Sequence, residues 1–461
     1  MATTNTRSRT IFGKTHEGGR AAPSSGPFAI PDKDQLIRHV STCLLFENTY
    51  YESGNEIADN IRAQCAVLPL DAISEVARLA RGDLKLRHVP LFLAVQMARR
   101  KGGKIVSETI RDVIQRPDEM GEMVSLYWKE VGDDRSKKGH SRLPAQLKKG
   151  LALAFQKFSA YQIAKWNEDK SVKLKDVLFL SHAKPKDEEQ AALWKSLIDG
   201  TLQAPDTWEV ALSAGKDKKE TWTRLLNEKK LGYMALLMNL RNMTDAGVDE
   251  LIVNQALVDG ADHSRALPFR FVSAAKFAPQ YAQSLSDAMM KAAKGHLAGR
   301  TALVVDVSGS MVSAPISAKS KLDRLDAASA LSIYLREVCE SCRVFTFSTT
   351  LTEIQNIRGI GLATAIRQLS GGGTMLAASL AVLKAKAGTF DRIIVVTDEQ
   401  THDGITTPWT DKAYLINVAP NKPGLDTHEG WNRVSGWSER IVDWIAYSET
   451  GRLINEPEID V

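Results

Sequence analysis

The chain has 461 residues, 25% of them charged and 43% hydrophobic, with 60 Lys and Arg against 55 Asp and Glu for a formal net charge of +5. That length holds roughly two to three domains, each able to bury a core of its own. Four cysteines, no signal-peptide pattern and no long apolar run exclude a disulfide-framed secreted module and a membrane-spanning protein, and favour the cytoplasm.

Residues 1–30, rich in Gly, Pro, Ser and Arg, read as an N-terminal arm or edge segment. From residue 31 to 298, apolar residues recur at helical spacing in short segments. They include DAISEVARLA, HVPLFLAVQMARR, LKKGLALAFQKFSAYQIAKW, AALWKSLI, LGYMALLMNLRNM and YAQSLSDAMMKAA. Their lengths suit paired antiparallel helices, and their number predicts an extended stack of degenerate helical repeats instead of one bundle.

Charge is uneven within this half. Between Lys129 and Lys186 there are 14 Lys or Arg against 6 Asp or Glu. Lys129, Arg135, Lys137, Lys138, Arg142, Lys148 and Lys149 form a basic run within and after the polar loop KEVGDDRSKKGH, and Lys157 and Lys165 follow in a helical segment. Such a face can bind phosphates, with Tyr161, Trp166 or His182 stacking on exposed bases. The same spacing makes Phe155, Phe158 and Trp166 candidates for the core, and a solvated charged surface is the plain alternative.

Residues 299–461 change to a pattern of strand, loop and helix. TALVVDV, CRVFTF, DRIIVVT and KAYLINVAP read as strands, whereas LDAASALSIYLREVCE, MLAASLAVLKAKA and SERIVDWIAYSET read as helices. This alternation predicts a mostly parallel sheet covered by helices on both faces, with any ligand beyond the carboxyl ends of the strands. Cys339 and Cys342 make a CxxC pair here, but no second pair or suitably spaced histidine completes a zinc site, so they read as packed thiols.

Asp306, Ser308 and Ser310, in DVSGSM, place one carboxylate and two hydroxyls in a tight loop at a strand end, a set of hard oxygens suited to one cation. Thr374, in GGGT before a helix, and Asp398, directly after IIVVT, are expected at the same sheet edge. Helix capping is the alternative for these residue types, although capping does not require the distant threonine and aspartate. A serine nucleophile is the competing class, with His402 four residues beyond Asp398. No nucleophile-elbow pattern surrounds either serine, and the glycine loop lacks the GK[ST] ending of a phosphate-binding loop.

In their order and spacing, DVSGSM, GGGT and the aspartate of VTDEQ resemble the von Willebrand factor A domain and its metal-ion-dependent adhesion site. That resemblance implies magnesium or another divalent cation at Asp306, Ser308, Ser310, Thr374 and Asp398, with one coordination position open to an outside oxygen. Met375 stands where some members carry a polar or acidic residue, so one outer role does not transfer.

The whole order, a long helical region followed by this A domain, resembles the Ro 60 kDa autoantigen family, in the form of a bacterial member. FENTYY at Phe46 to Tyr51, LRHVPLFLAVQMAR, LKDVLFLSHAKP, KLGYMALLMNLRNM and RALPFR at Arg265 to Arg270 carry the likeness. It implies a TROVE module over residues 31–298, folded as a ring of HEAT-like helical repeats and closed by the A domain over residues 299–461. It further implies a monomeric, non-enzymatic RNA scaffold that holds a Y-like small noncoding RNA on a basic outer surface. Single-stranded 3' ends of misfolded or damaged RNA would enter its cavity, and an exoribonuclease would be a further partner. His182 and Lys184 fall in the family's Ser-His-x-Lys-Pro stretch, and Lys157, Lys165, Lys149 and Arg142 are the accompanying RNA-contact candidates. Arg265 and Arg270 are candidates for the cavity or for ties between helices. A metal-dependent protein-adhesion scaffold without specific RNA binding is the other nonenzymatic class.

Overall fold

The computed structural model describes residues 33, 36–37, 39–40, 54–100, 102–132, 142–261, 266, 268–313, 315–316, 322–386, 389–418, 430–435 and 440–451. The N-terminal arm, FENTYY, Arg265 and the central part of the basic run, with Arg135, Lys137 and Lys138, lie outside these residues. A compact helical unit runs from Ala58 to Lys216, and a second unit, helical and then sheet-containing, begins at Asp217.

The first unit is built from short helices that pack on near neighbours in sequence. Leu70–Gly82 packs against His88–Arg99 and Lys104–Val113, and Lys104–Val113 packs in turn against Ala145–Phe155. His88–Arg99 is buried from Val89 through Ala98, because HVPLFLAVQMAR carries apolar or small residues on almost every side. Close helix approach depends on Gly150, where a β-carbon would lie 2.6 Å from Ile110 side-chain atoms. Buried charge is paired. Arg81 donates to both oxygens of the fully buried Glu119 at 2.6 and 2.7 Å, and Glu119 also accepts from the backbone N–H groups of Gln115 and Arg116.

The segment LKKGLALAFQKFSAYQIAKW, continuous in its helical spacing, forms two helices, Ala145–Phe155 and Ala160–Lys165. Ser159 starts the second one: its hydroxyl accepts from Gln162 N–H while the Gln162 side chain accepts from Ser159 N–H, a reciprocal cap.

In the second unit, helices Lys218–Asn227, Tyr233–Asp245, Glu250–Asp259, Pro268–Phe277 and Ala282–Ala292 pack on one another ahead of the sheet. Strands β1 (Leu297–Asp306), β2 (Cys339–Phe347), β3 (Leu351–Ile354), β4 (Arg392–Thr397), β5 (Lys412–Asn417) and β6 (Asn432–Ser435) form one sheet in the order β3-β2-β1-β4-β5-β6. All pairings are parallel except β2 with β3.

Alternation along the central strands sends two sets of residues to opposite faces. Ala302, Val304, Ile393, Val395, Ala413 and Leu415 pack with Leu376, Leu380 and Leu383 of helix Leu376–Lys386. Helix Arg324–Val338, buried along nearly its whole length, packs on β1 and β2 and also against Pro268–Phe277. It ends at Val338, two residues before the end of the helical run predicted through Glu340, and Cys339 and Glu340 open β2 instead. Cys339 is buried and Cys342 half-buried, and both thiols are free. β3 and β6, four residues each, are the strands that the alternation of apolar runs does not announce. The chain order reverses between β1 and β4, and Asp306 and Asp398 stand at their carboxyl ends, the position at which ligands bind on sheets of this kind.

Candidate functional site

Three loops meet at this sheet edge. β1 ends on Asp306, and the loop after it is tied to the glycine loop by Gly371 N–H on the Val307 carbonyl at 2.8 Å and Gly309 N–H on the Gly372 carbonyl at 3.1 Å. Gly371 and Gly372 take φ of +130° and +83°, backbone angles that a β-carbon disfavours, which is why this turn is written in glycine. β4 delivers Thr397, whose hydroxyl donates to Asp306 Oδ2 at 2.6 Å, and Asp398 follows directly.

Within that frame Asp306 is fully buried, Ser308 and Thr374 are nearly so, and Asp398 is fully buried. Ser308 N–H donates to Asp306 Oδ1 at 2.9 Å, and the Ser308 and Ser310 hydroxyls lie 3.1 Å apart. Burial pushes the Asp306 carboxyl up to about 6, against hydrogen bonds from Ser308 and Thr397 that lower it, and the charge of Asp398 pushes in the same direction as burial. Carboxylates and hydroxyls are hard oxygen donors, which suit a hard divalent cation such as Mg2+ better than zinc. Among the described residues no group of three or more His, Cys, Asp or Glu gathers that could hold a metal ion by those side chains alone.

The same geometry bears on the nucleophile reading. His402 Nδ1 stands 3.2 Å from both the backbone N and O of Thr374, and His402 N–H donates to the Thr374 carbonyl at 2.9 Å. That imidazole therefore pins the threonine loop, while the serine hydroxyls face each other. Met375 uses its N–H on the Ser348 carbonyl at 2.7 Å, a backbone role open to any side chain.

Two contributors here lie outside the motif. Thr397 orients Asp306, and its signal was only a polar residue closing an apolar strand. Arg324, the first residue of helix Arg324–Val338, donates from Nη1 to Asp398 Oδ2 at 2.7 Å from a buried position. No spacing rule links residues 74 positions apart.

The basic candidates of the first unit separate into different environments. His182 is exposed at the C-cap of helix Leu174–Ser181 with φ +53°, and its N–H donates to the Phe179 carbonyl at 3.3 Å. Lys184 is exposed in the turn that follows, and its carbonyl accepts from Gln156 Nε2 at 2.9 Å. Lys165 is exposed with its ammonium 5.8 Å from the Tyr161 ring centroid and 5.6 Å from that of Trp166, whose face also takes the Arg116 guanidinium at 3.5 Å. Arg142 and Lys149 are exposed at and near the start of helix Ala145–Phe155, and Arg270 is exposed on Pro268–Phe277.

Lys157 is engaged differently. Its ammonium donates to the carbonyls of Arg111 and Ile114 at the end of helix Lys104–Val113, and burial pulls its pKa below the usual lysine value. Among the aromatic candidates Phe155 and Phe158 are buried, Phe155 edge-on to Trp194 at 5.2 Å, whereas Tyr161 is 46% exposed. Phe179, absent from the sequence candidates, is 58% exposed on the helix turn that precedes His182. Its signal was legible: Leu174, Val177, Leu178 and Ser181 make the buried stripe, and position 179 falls off it.

Comparison with known proteins supplies the context. Residues 190–326 match the TROVE domain and residues 300–412 match the Ro60 vWA domain. Telomerase protein component 1 of Rattus norvegicus is 37% identical over 78 residues, 16% of this chain, and its Mus musculus counterpart is 37% identical over 89 residues, 18% of this chain. Each of those stretches spans 3% of the longer protein. The crystal structure of the Deinococcus radiodurans Ro (RSR) protein shares the fold with a TM-score of 0.64 at 17% identity, covering 91% of this chain and 99% of that one. A TROVE match thus leads into a Ro60 vWA match over residues 190–412, on a fold shared with the Deinococcus radiodurans Ro protein.

Proposed function

We propose that this protein is the RNA-binding scaffold of a small noncoding RNA ribonucleoprotein, with no chemical step of its own. A ring of HEAT-like repeats closed by the A domain is part of this reading, as is a monomeric, cytoplasmic protein. A Y-like RNA binds the outer basic surface through His182, Lys184, Lys165, Lys149 and Arg142, and single-stranded 3' ends of misfolded or damaged RNA enter the cavity for quality control or degradation. An exoribonuclease delivered through the bound RNA is the further partner.

The observation that carries this reading is the Ser181 to Pro185 turn in a chain that matches the TROVE and Ro60 vWA domains. His182 and Lys184 project from it into solvent, and Gln156 holds its backbone. An exposed imidazole can donate to RNA oxygens or stack, and lysines fix phosphates. Lys157 belongs to the same surface only if RNA competes with the carbonyls it now meets.

At the sheet edge, Asp306, Ser308, Ser310, Thr374 and Asp398 would hold Mg2+ or another divalent cation, which would supply a coordination position for an outside oxygen. Burial disfavours the ionised Asp306 carboxylate, the form that such a cation would bind and favour.

The test is affinity for a structured small RNA with and without a single-stranded 3' tail, across a salt series and with magnesium or chelator. Tight, salt-sensitive binding that the tail strengthens is expected. Weak binding to both RNAs would overturn the reading and leave the adhesion scaffold, in which the metal edge receives an acidic side chain of a protein partner.

A further inference from the structure

We propose that Arg324 is a resident counter-cation of the Asp306/Asp398 edge and sets its affinity for divalent ions by holding Asp398. This rests on the reading that the edge binds a divalent cation.

The two carboxylates are treated differently by their surroundings. Among the described residues the donors to Asp306 are neutral, Ser308 N–H at 2.9 Å and the Thr397 hydroxyl at 2.6 Å among them. Asp398 accepts from Gln400 N–H at 3.2 Å on Oδ1 and from the Arg324 guanidinium at 2.7 Å on Oδ2. The Arg324 side chain is 7% exposed and that of Asp398 0%, so water screens the pair poorly. With Arg324 counted, the formal charge of the trio is −1, where the carboxylates alone would present −2.

Local chemistry does not explain an arginine at this position. Arg324 is the first residue of its helix, where the helix dipole disfavours a cation. Among the described residues its buried Nε has no hydrogen-bond acceptor, so the guanidinium serves the Asp398 contact at the cost of another.

The backbone beneath it is held by other groups. Asp323 and Asp326 cap the helix reciprocally, Asp326 takes Lys276 at 2.7 Å and Arg367 at 2.6 Å, and Asp323 takes Arg367 at 2.7 Å. A cation arriving at Asp398 would therefore meet a guanidinium carried on a fixed helix turn. A divalent ion and Arg324 compete for one carboxylate, and removing the arginine charge should tighten ion binding about tenfold.

The experiment measures Mn2+ binding to the full chain by electron paramagnetic resonance of free ion, together with the Mn2+-induced rise in thermal midpoint. The proteins are wild type, Arg324→Gln, Arg324→Lys and Asp306→Ala. Expected is binding about tenfold tighter in Arg324→Gln, wild-type affinity in Arg324→Lys, and loss in Asp306→Ala. An Arg324→Gln chain that folds only with Mn2+ supports the proposal equally, since the ion then replaces the guanidinium.

Equal or weaker binding by Arg324→Gln, with loss in Asp306→Ala, would overturn the role of Arg324 and leave the metal site standing. So would tightening in Arg324→Lys as large as in Arg324→Gln, or an Arg324→Gln chain that folds in neither condition. Absence of binding to both wild type and Arg324→Gln would remove the metal site and the proposal together.

Discussion

His182 shows how one residue can carry a backbone cost and a function that separate under mutation. Its φ of +53° ends helix Leu174–Ser181 in the left-handed region, where a β-carbon costs about 1 kcal/mol. Replacing His182 by Gly is expected to leave thermal stability unchanged or raised by up to about 1 kcal/mol, and to weaken structured-RNA binding about tenfold. Thermal denaturation beside filter binding checks both, and a fall in stability would mean that the imidazole holds the turn. Cys65 offers a simpler check of packing. It is 1% exposed, and burial pushes its thiol up to about 12, with Arg100 opposing, so iodoacetamide at pH 8 should leave it unmodified in the folded chain. That Asp306, Ser308 and Ser310 lie together was legible because one tight loop contains them; Arg324 was not, because its link to Asp398 exists only across packed elements.

Between elements, close approach and buried charge decide stability. A β-carbon on Gly150 would meet Ile110 at 2.6 Å and the Ser107 carbonyl at 3.0 Å, so Gly150→Ala should destabilise the helical unit by about 1–3 kcal/mol in denaturant unfolding. At the other end of the chain, helix Ile441–Thr450 is clamped to β4 by Glu449. Arg392 Nε donates to Glu449 at 2.5 Å, and Lys412 lies 2.9 Å away. Burial alone would raise the Glu449 carboxyl, but the Arg392 and Lys412 contacts outweigh it and hold the group below 4.5. A depressed folded-state value means stability that is present above 4.5 and lost as the pH falls through the folded value. Glu449→Gln should thus cost about 3 kcal/mol at pH 7, and the gap to wild type should close as the pH falls below that of a free glutamate. A gap that stays constant to pH 3 would show that packing, not charge, is lost. Helical and strand periodicity made most of these elements legible, whereas the break at Ser159 needed side-chain capping that periodicity does not register.

For the whole molecule, the change from helix to sheet composition at residue 299 does not coincide with the compact boundary at Asp217. Helix Pro268–Phe277 packs on Arg324–Val338, Lys276 pairs with Asp326 at 2.7 Å, and Ala282–Ala292 packs on Ile360–Gln368. A fragment of residues 299–461 would expose those faces, so its thermal midpoint should fall at least about 10 °C below that of a fragment of residues 217–461. Equal midpoints would show that the sheet unit is self-sufficient. On the RNA side, Lys184→Ala should weaken binding across RNA sequences and reduce the slope of log affinity against log salt by about 1, the signature of one lost phosphate contact.

Amino-acid order alone was enough for the helical region, the parallel sheet and the five oxygen-bearing residues at its edge. Periodicity and short-range motifs are local properties that survive without coordinates. Tertiary structure was needed to see that Lys157 meets two backbone carbonyls while Lys165 is exposed, that Phe179 stands in solvent, and that the last TROVE-region helices share a unit with the sheet. It also placed a guanidinium on Asp398. Those facts depend on which distant surfaces touch, and burial and charge pairing across such contacts have no period along the chain.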